Sequence, residues 1–498
     1  MSHDTGSTSA PPIPFDNSFA REMEGFFVDT PPAKVNQPRM LVFNHELAAE
    51  LGLDPVRLDS ELGARLFSGA EVPEGARPIA QVYAGHQFGH FSPRLGDGRA
   101  LLLGEVVDRE GQRRDLQWKG SGPTVFSRGG DGLAAIGPVL REYLVGEAMH
   151  ALGVPTTRAL AAVTTGQPVF RETPLHGAVL TRVASSHVRI GTFQYFAARK
   201  ELDQVRQLAD YVIARHDPEL ADREDRYLGL LEAVCARQAS LVARWMQLGF
   251  VHGVMNTDNT TISGETIDYG PCAFMERYSP ETVFSSIDRG GRYAYGRQPQ
   301  MVFWNLSRFA ETLLPLIDAD EERAVAGATQ VVQGFVPKYE RAWLGGMRTK
   351  LGLLEPREGD EQLVGAFLEC LEGGEVDFTL AFRALMRAAD GEEGDLRALF
   401  ADTHALDAWL ARWRARLDAE TTSQPSRVEA MRLASPAFIP RNELVEAALG
   451  AAGERGELAP FRELLEVVLR PYEDQPGREA YARPASPGAP PYRTFCGT

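Results

Sequence analysis

An α+β fold of two lobes, a β-rich N-lobe followed by a larger helical C-lobe with additional C-terminal helices, is what this sequence predicts. Three observations carry that expectation. From about residue 78 to 196, glycines and β-branched residues alternate with turn signals. From about residue 201 to 469, long patterns rich in Leu, Ala, Glu and Arg dominate, the texture of helices. One well-punctuated helix interrupts the first stretch: Pro138 suits its first helical position and Gly153 the left-handed residue past its end. Strands, one helix, more strands, then mostly helix is most plainly a small sheet lobe packed on a helical lobe with a cleft between them.

Taken in order, residues 1–14 are Ser/Thr/Pro-rich and read as a disordered tail. Residues 15–200 read as the nucleotide-binding N-lobe, 201–482 as the helical C-lobe, and the Pro/Gly-rich residues 483–498 as a flexible tail. Within the N-lobe, residues 99–108 and 115–119 are apolar-rich runs joined by DREGQRR, a hairpin signal. After the helix, residues 158–164, a TGQP turn, residues 169–172 and residues 177–184 read as three more strands.

Composition narrows the function. The 498 residues are 44% hydrophobic and 24% charged, ordinary globular usage. Lys+Arg 52 against Asp+Glu 68 gives a net charge of −16, which argues against nucleic acid or an anionic membrane as a general partner. No apolar run approaches the roughly 20 residues that span a bilayer, and the N-terminal segment lacks a secretory core. Cys235, Cys272, Cys370 and Cys496 are scattered without a CxxC, so a reducing cytoplasm is the expected compartment and a large soluble enzyme the leading class.

The chemistry begins at Lys119, which ends the strand DLQWKGSG. Alone it reads as a strand-end lysine facing water. Glu142, however, shares a helix face with Val139, Val145, Met149 and Leu152, and a carboxylate in an apolar stripe needs a partner. A strand lysine followed by a helix glutamate is the arrangement protein kinases use to hold a nucleotide phosphate. Gly96 and Gly98 stand just before a strand, and a second loop, SRGGDG, places Asp131 and Gly132 before the helix. Two glycine-rich loops flanking one lysine fit close approach of a phosphate.

The densest constellation is residues 250–274, FVHGVMNTDNTTISGETIDYGPCAF. Gly264-Glu265 fits a two-residue type II′ hairpin turn, which would oppose Thr261 to Asp268 and bring Asn259 diagonal to Asp268. An amide oxygen and a carboxylate meeting at a hairpin end suit Mg²⁺. Asp258 would point the other way, where a general base belongs. An Asx turn accounts for Asn256. Arg182 shares a strand face with Ala178 and Leu180 and is a candidate phosphate clamp, while Arg189 in the following loop also fits a plain surface arginine. His252 and His187 read as structural. No paired His or Cys has transition-metal spacing, and neither GxSxG nor a P-loop is present.

With these residues in hand, the sequence resembles the selenoprotein O family, protein adenylyltransferases on a protein-kinase-like fold. The resemblance runs from FDNSFARE at Phe15 to Cys496 and rests on YAGHQFGHFSPRLGDGRA, QWKGSGPTVFSRGGDG, RVASSHVRIGTF, HGVMNTDN, IDYGP and WNLSRFAETLLPLI. It implies that Lys119 and Glu142 form the family's ion pair. It further implies that Gly96, Gly98, Arg99, Lys119, Asp131, Gly132, Arg182, Arg189 and Asp268 contact the nucleotide. Asp258 would be the base, and Asn259 and Asp268 the ligands of Mg²⁺, or of Mn²⁺ in its place. ATP would lie inverted relative to ordinary kinases, so that AMP passes to a Ser, Thr or Tyr hydroxyl of a protein and pyrophosphate leaves.

The kinase patterns HRDxxxxN and DFG are absent: Asp258 and Asn259 are adjacent, and IDYGP replaces DFG. Two other functions therefore stay open, a conventional phosphotransferase and a nucleotide-binding pseudokinase scaffold. The intact set of Lys, Glu, Asp and Asn speaks against the scaffold. Many eukaryotic relatives carry selenocysteine third from the C-terminal end, the place of Cys496. A redox bond between Cys496 and Cys272, or an unremarkable exposed thiol, are the two readings of that residue.

Overall fold

The computed structural model describes residues 11–486 and 490–495. It is a mixed α+β chain that divides into two compact units. The first comprises Met1–Gly85, Ser92–Tyr143 and Thr157–Val188, the second His86–Phe91, Leu144–Thr156 and Arg189–Thr498. The division thus falls at Arg189 rather than near residue 200, and the punctuated helix, Ile136–Ala151, is shared.

The first unit is built on one antiparallel sheet. Its early strands are β1 (Phe27–Asp29), β2 (Arg39–Phe43) and β3 (Ile79–Gln81). A small separate hairpin, β4 (Gly85–Gln87) and β5 (His90–Ser92), comes next in the chain. The sheet then resumes with β6 (Ala100–Val107), β7 (Arg113–Lys119), β8 (Ala134–Ala135), β9 (Arg158–Phe170) and β10 (Pro174–Ala184). The order is β1-β3-β6-β7-β10-β9-β2, with β8 on β10. The DREGQRR hairpin forms as expected, with Gly111 at φ 80° in its turn.

The TGQP segment corrects the sequence reading. It does not end a strand: β9 runs straight through it, and the register against β10 shifts between His176 and Ala178. Gly166, at φ 69°, takes the left-handed step of a bulge, and the Thr165 carbonyl is kept occupied by the amides of Asn36 and Gln37. Ile13, expected in a disordered tail, is fully buried.

The second unit is helical. Arg226–Leu248, Gln298–Ile317, Glu321–Gln333 and Phe335–Lys350 pack together, followed by Asp360–Gly373, Phe378–Ala389, His404–Asp418, Gln424–Ala434, Asn442–Arg455 and Ala459–Val468. Arg226–Leu248 ends at Gly249 in the left-handed conformation and leads into β11 (Phe250–Val251), which pairs with β12 (Ala273–Phe274). The C-terminal helices grip β12: Asn442 Nδ2 donates to the Phe274 carbonyl at 3.1 Å, and buried Arg441 pairs with Asp377 at 2.6 Å. Among the described residues no helix is long and apolar enough to cross a membrane.

The C-terminal segment is not the free tail the composition suggested. Thr494 is buried, its hydroxyl donates to the Pro271 carbonyl at 2.7 Å, and its backbone bonds to Phe284 and Ser286. Cys496 lies outside the described residues.

One buried cation in this unit sets a pH dependence. Lys350 is 3% exposed, with Nζ 4.7 Å from the Phe382 ring centroid and 5.8 Å from that of Phe378. Burial, reinforced by the charge of Arg244, pushes its ammonium down to about 7. The unfolded chain then holds more protons than the folded one above that value, so the destabilisation is full below pH 7 and is relieved as pH rises. Lys350→Met is expected to be more stable than the wild type at pH 6. The difference should narrow by about 2–3 kcal/mol at pH 9, read from denaturant unfolding at both values.

Candidate active site

Within the first unit, antiparallel pairing of β7 with β10 sets Lys119 opposite Leu180 and Gln117 opposite Arg182, so the lysine and the arginine share one face of the sheet. Glu142, on the Ile136–Ala151 helix, meets both. Lys119 Nζ donates to Glu142 Oε2 at 2.5 Å, and Arg182 Nη1 donates to Glu142 Oε1 at 3.0 Å. All three are under 9% exposed. The expected Lys–Glu pair is therefore a triad, in which one carboxylate faces two buried cations. Gln117 completes it, accepting from Arg182 Nε at 3.2 Å and donating to Asp97 Oδ2 at 3.3 Å.

The glycine-rich loops lie against each other in the same unit. Thr124 Oγ1 donates to the Asp97 carbonyl at 2.6 Å, and Ser127 Oγ donates to that of Gly98. Gly96, at φ 74°, leaves no room for a Cβ, which would sit 2.3 Å from the Phe126 ring. At Gly132, φ 65°, it would come within 2.0 Å of the Gly122 carbonyl. Loop-on-loop packing alone thus demands these glycines. Asp131 caps the Leu133 amide at 3.0 Å and pairs with Arg171 at 2.7 Å, which lowers its carboxyl. The Arg99 carbonyl accepts from Gly120 at 2.7 Å, tying the first loop to the residue after Lys119.

In the second unit Asp258 sits on a single 3₁₀ turn, Thr257–Asn259. The expected hairpin is not there. Thr261 forms an antiparallel bridge with Arg189 and Thr266 a parallel bridge with Thr156, so Thr261 does not face Asp268. The Gly264 amide bonds back to the Thr261 carbonyl at 3.4 Å, and the Thr261 hydroxyl closes the loop onto Glu265 at 2.7 Å. Partners far along the chain take the backbone groups a hairpin would have used: Ile190 for Thr260, Pro155 for Thr266 and Gln238 for Thr261. Nor is Asn256 in an Asx turn. Its side-chain oxygen accepts from Tyr293 Oη at 2.7 Å and from the Phe88 amide at 3.1 Å.

Asp258 itself is 7% exposed. Gln87 Nε2 donates to its Oδ2 at 3.4 Å, and Oδ1 is buried with no hydrogen-bond partner among the described residues. Burial pushes the carboxyl up to about 6; the charge of Arg189 and the Gln87 bond pull against that, and the charge of Asp268 adds to it. Arg189 is not the surface arginine its loop position allowed. It is 5% exposed, begins the Ile190–Ala197 helix, and its Nη1 donates to the Asp258 carbonyl at 3.2 Å. It belongs to the Asp258 unit rather than with Lys119 and Arg182.

The residues fit a hard cation. Asn259 commits its amide nitrogen to the Val254 carbonyl at 3.2 Å, which leaves the oxygen as the end a cation would meet. Asp268 is held at φ 69°, a left-handed conformation that Asp tolerates at some cost and that occurs where a side chain must be aimed. No cluster of three His, Cys, Asp or Glu is arranged for a metal among the described residues, so the amide oxygen would be part of any ligand set. His252 and His187 are structural as expected, bonded to the Ile267 carbonyl at 2.9 Å and to Asp115 at 3.0 Å. Cys272 is buried and its thiol donates to the Tyr269 carbonyl at 3.2 Å. Cys496, its suggested partner, lies outside the described residues.

Comparison with known proteins decides the identity. A family model described as "Protein adenylyltransferase SelO" matches residues 12–469. The chain belongs to the SelO family. It is also similar to proteins named "Protein nucleotidyltransferase YdiU". The one from Cereibacter sphaeroides is 60% identical over 486 residues, covering 97% of this chain and 99% of the relative. Those from Methylorubrum extorquens and Rhizobium rhizogenes are 58% and 55% identical, covering 98% and 100% of this chain and 99% of each relative. As a SelO family member the chain is a nucleotidyltransferase.

Reading the sequence missed Gln87, Gln117 and Arg171, the partners of Asp258, Arg182 and Asp131. Gln117 was legible in principle, because it shares a strand face with Lys119 two residues on. Gln87 carried no local signal, since 171 residues separate it from Asp258.

Proposed function

We propose that this SelO family enzyme is an Mg²⁺-dependent protein adenylyltransferase that transfers AMP from ATP to Ser, Thr or Tyr hydroxyls. Its sheet and helical units would be the counterparts of the two lobes of a protein kinase. The observation that carries the reading is the triad around Glu142. Two buried cations, Lys119 and Arg182, converge on one carboxylate in a protein whose formal charge is −16. Such a site suits the most highly charged end of ATP, its β- and γ-phosphates, and leaves the α-phosphorus for the acceptor.

In the reaction the acceptor oxygen attacks the α-phosphorus and gives its proton to Asp258. The new O–P bond forms as the bond between the α-phosphorus and the bridging oxygen breaks, and pyrophosphate leaves. Gln87 and Arg189 orient Asp258 by holding its Oδ2 and its carbonyl, and the unpartnered Oδ1 is the atom that takes the proton. Lys119 and Arg182, steadied by Glu142, neutralise the departing charge. A bound Mg²⁺, held by Asn259 and Asp268, would supply further neutralisation of phosphate charge. Gly96, Gly98, Arg99, Asp131 and Gly132 shape the loops around the phosphates.

Labelled ATP tests the reading. Radioactivity on the α-phosphate is expected on protein, and radioactivity on the γ-phosphate in pyrophosphate. Protein labelled from the γ-position would show an ordinary phosphotransferase instead.

A further inference from the structure

The hairpin that supplies Gln87 also builds a second, cationic feature beside the Asp258 turn. The ring of His86 stands edge-on to Trp304 at 5.1 Å and bonds Gln194 at 2.9 Å, while its backbone amide donates to Thr257 Oγ1 at 2.7 Å. Thr257 precedes Asp258, and its hydroxyl in turn donates to Gln194 at 2.6 Å. Two guanidinium groups rest on the same tryptophan, Arg292 at 4.9 Å and Arg308 at 5.3 Å from the ring centroid. The tip of the hairpin lies alongside, since a Cβ on Gly89 would sit 3.5 Å from the Arg292 guanidinium.

The charges here do not balance. Arg308 meets Glu311 at 2.6 Å through Nη2, whereas the Arg292 guanidinium forms no ion pair among the described residues. The Nε atoms of both arginines are buried without a hydrogen-bond acceptor among the described residues. Arg292, Trp304 and Arg308 are nevertheless only half-buried, so a ligand can reach their outer edges. The two charges are felt locally: burial lowers the basicity of His86, the Gln194 bond opposes that, and Arg308 and Arg292 lower it further. Guanidinium groups stacked on an indole are pre-organised to hold a carboxylate. Nucleic acid is disfavoured as the occupant by the overall charge of −16.

We propose that Arg292 and Arg308, seated on Trp304 beside the Asp258 turn, form an acceptor-side docking site for acidic residues that flank the hydroxyl to be modified. The preferred protein substrates are then Ser, Thr or Tyr segments with neighbouring Asp or Glu. This inference rests on Asp258 facing the acceptor, as proposed above.

The test uses the full chain with Mg²⁺ and an ATP analogue that cannot be cleaved between the α- and β-phosphates. A fluorescent peptide carrying one serine flanked by glutamates is compared with its glutamine twin by anisotropy. The acidic peptide is expected to bind about tenfold more tightly. Arg292→Gln and Arg308→Gln should each remove most of that preference, and the Lys variants should keep most of it. Arg308→Glu should favour a lysine-flanked peptide, with nucleotide affinity unchanged throughout. Equal binding of the two peptides by the wild type would overturn the proposal, as would an undiminished preference in both Gln variants. An oligonucleotide that displaces the peptide from the wild type but does not bind the Gln variants would also overturn it. Incorporation of AMP into the peptide from ATP is read separately. Charge preference without incorporation retires the role given to Asp258 and leaves the docking site standing; incorporation without preference does the reverse.

Discussion

Replacing Asp258 by alanine is expected to lower kcat by about 10²–10⁴-fold, the usual contribution of a positioned general base, while nucleotide affinity stays within about twofold. The 3₁₀ turn explains why the two effects separate. Asp258 contacts Gln87 and carries Arg189 on its backbone carbonyl, and the alanine variant keeps that carbonyl bond. The variant should also unfold at a temperature no lower than the wild type, because it removes a buried carboxyl oxygen that has no partner among the described residues. Asp268→Ala is expected to behave differently. It takes away one of the few hard ligands available to a cation, so metal-dependent nucleotide affinity and turnover should fall together. Calorimetry with a non-hydrolysable nucleotide, alongside turnover, distinguishes them. An equal loss of binding in both variants would refute the division of roles.

The second large effect concerns Glu142. Because this carboxylate faces both Lys119 and Arg182, Glu142→Ala leaves two buried cations without their shared counter-charge. Removing one partner of a buried pair costs about 3–5 kcal/mol, so a marked loss of thermal stability is expected together with the loss of activity. Lys119→Met should abolish activity to a similar degree and cost little stability. In that variant Glu142 still meets Arg182 at 3.0 Å, and the methionine fills the volume of the lysine stem. Thermal midpoints of the two variants, measured beside AMP incorporation, decide the point. Similar midpoints would show that Lys119 and Glu142 act as an isolated pair.

Where a signal is local, the sequence anticipates the structure. The DREGQRR hairpin, the helix closed by Gly153 and the inward-facing Arg182 all depend on residues within one or two elements of each other. The loop after Asp258 failed for the opposite reason. Gly264-Glu265 is a fair turn signal, but a hairpin also needs its backbone groups unclaimed, and Pro155, Ile190 and Gln238 claim them. The TGQP segment misled in the same way, since a glycine between strands marks a bulge as readily as an end. The hairpin that would have brought Asn259 beside Asp268 fails with it, and what the structure shows at Asp268 is a left-handed backbone.

The shared Ile136–Ala151 helix has a consequence for how the chain matures. Its first half, with Glu142, belongs to the sheet unit and its second half to the helical unit, where the Leu152 carbonyl accepts from Tyr472 Oη at 3.0 Å. On the ribosome, every strand of the sheet emerges before residue 190, yet the second half of the helix belongs to a unit completed by chain made later, Tyr472 included. For the time it takes to synthesise that chain, at about 5–20 residues per second, the second half of the helix lacks the rest of its unit. Neither unit is a continuous stretch of chain, so no single proteolytic cut or gene truncation releases one intact. Nascent chains of this protein should therefore engage holding chaperones most strongly after the sheet strands have emerged and before the last helices do.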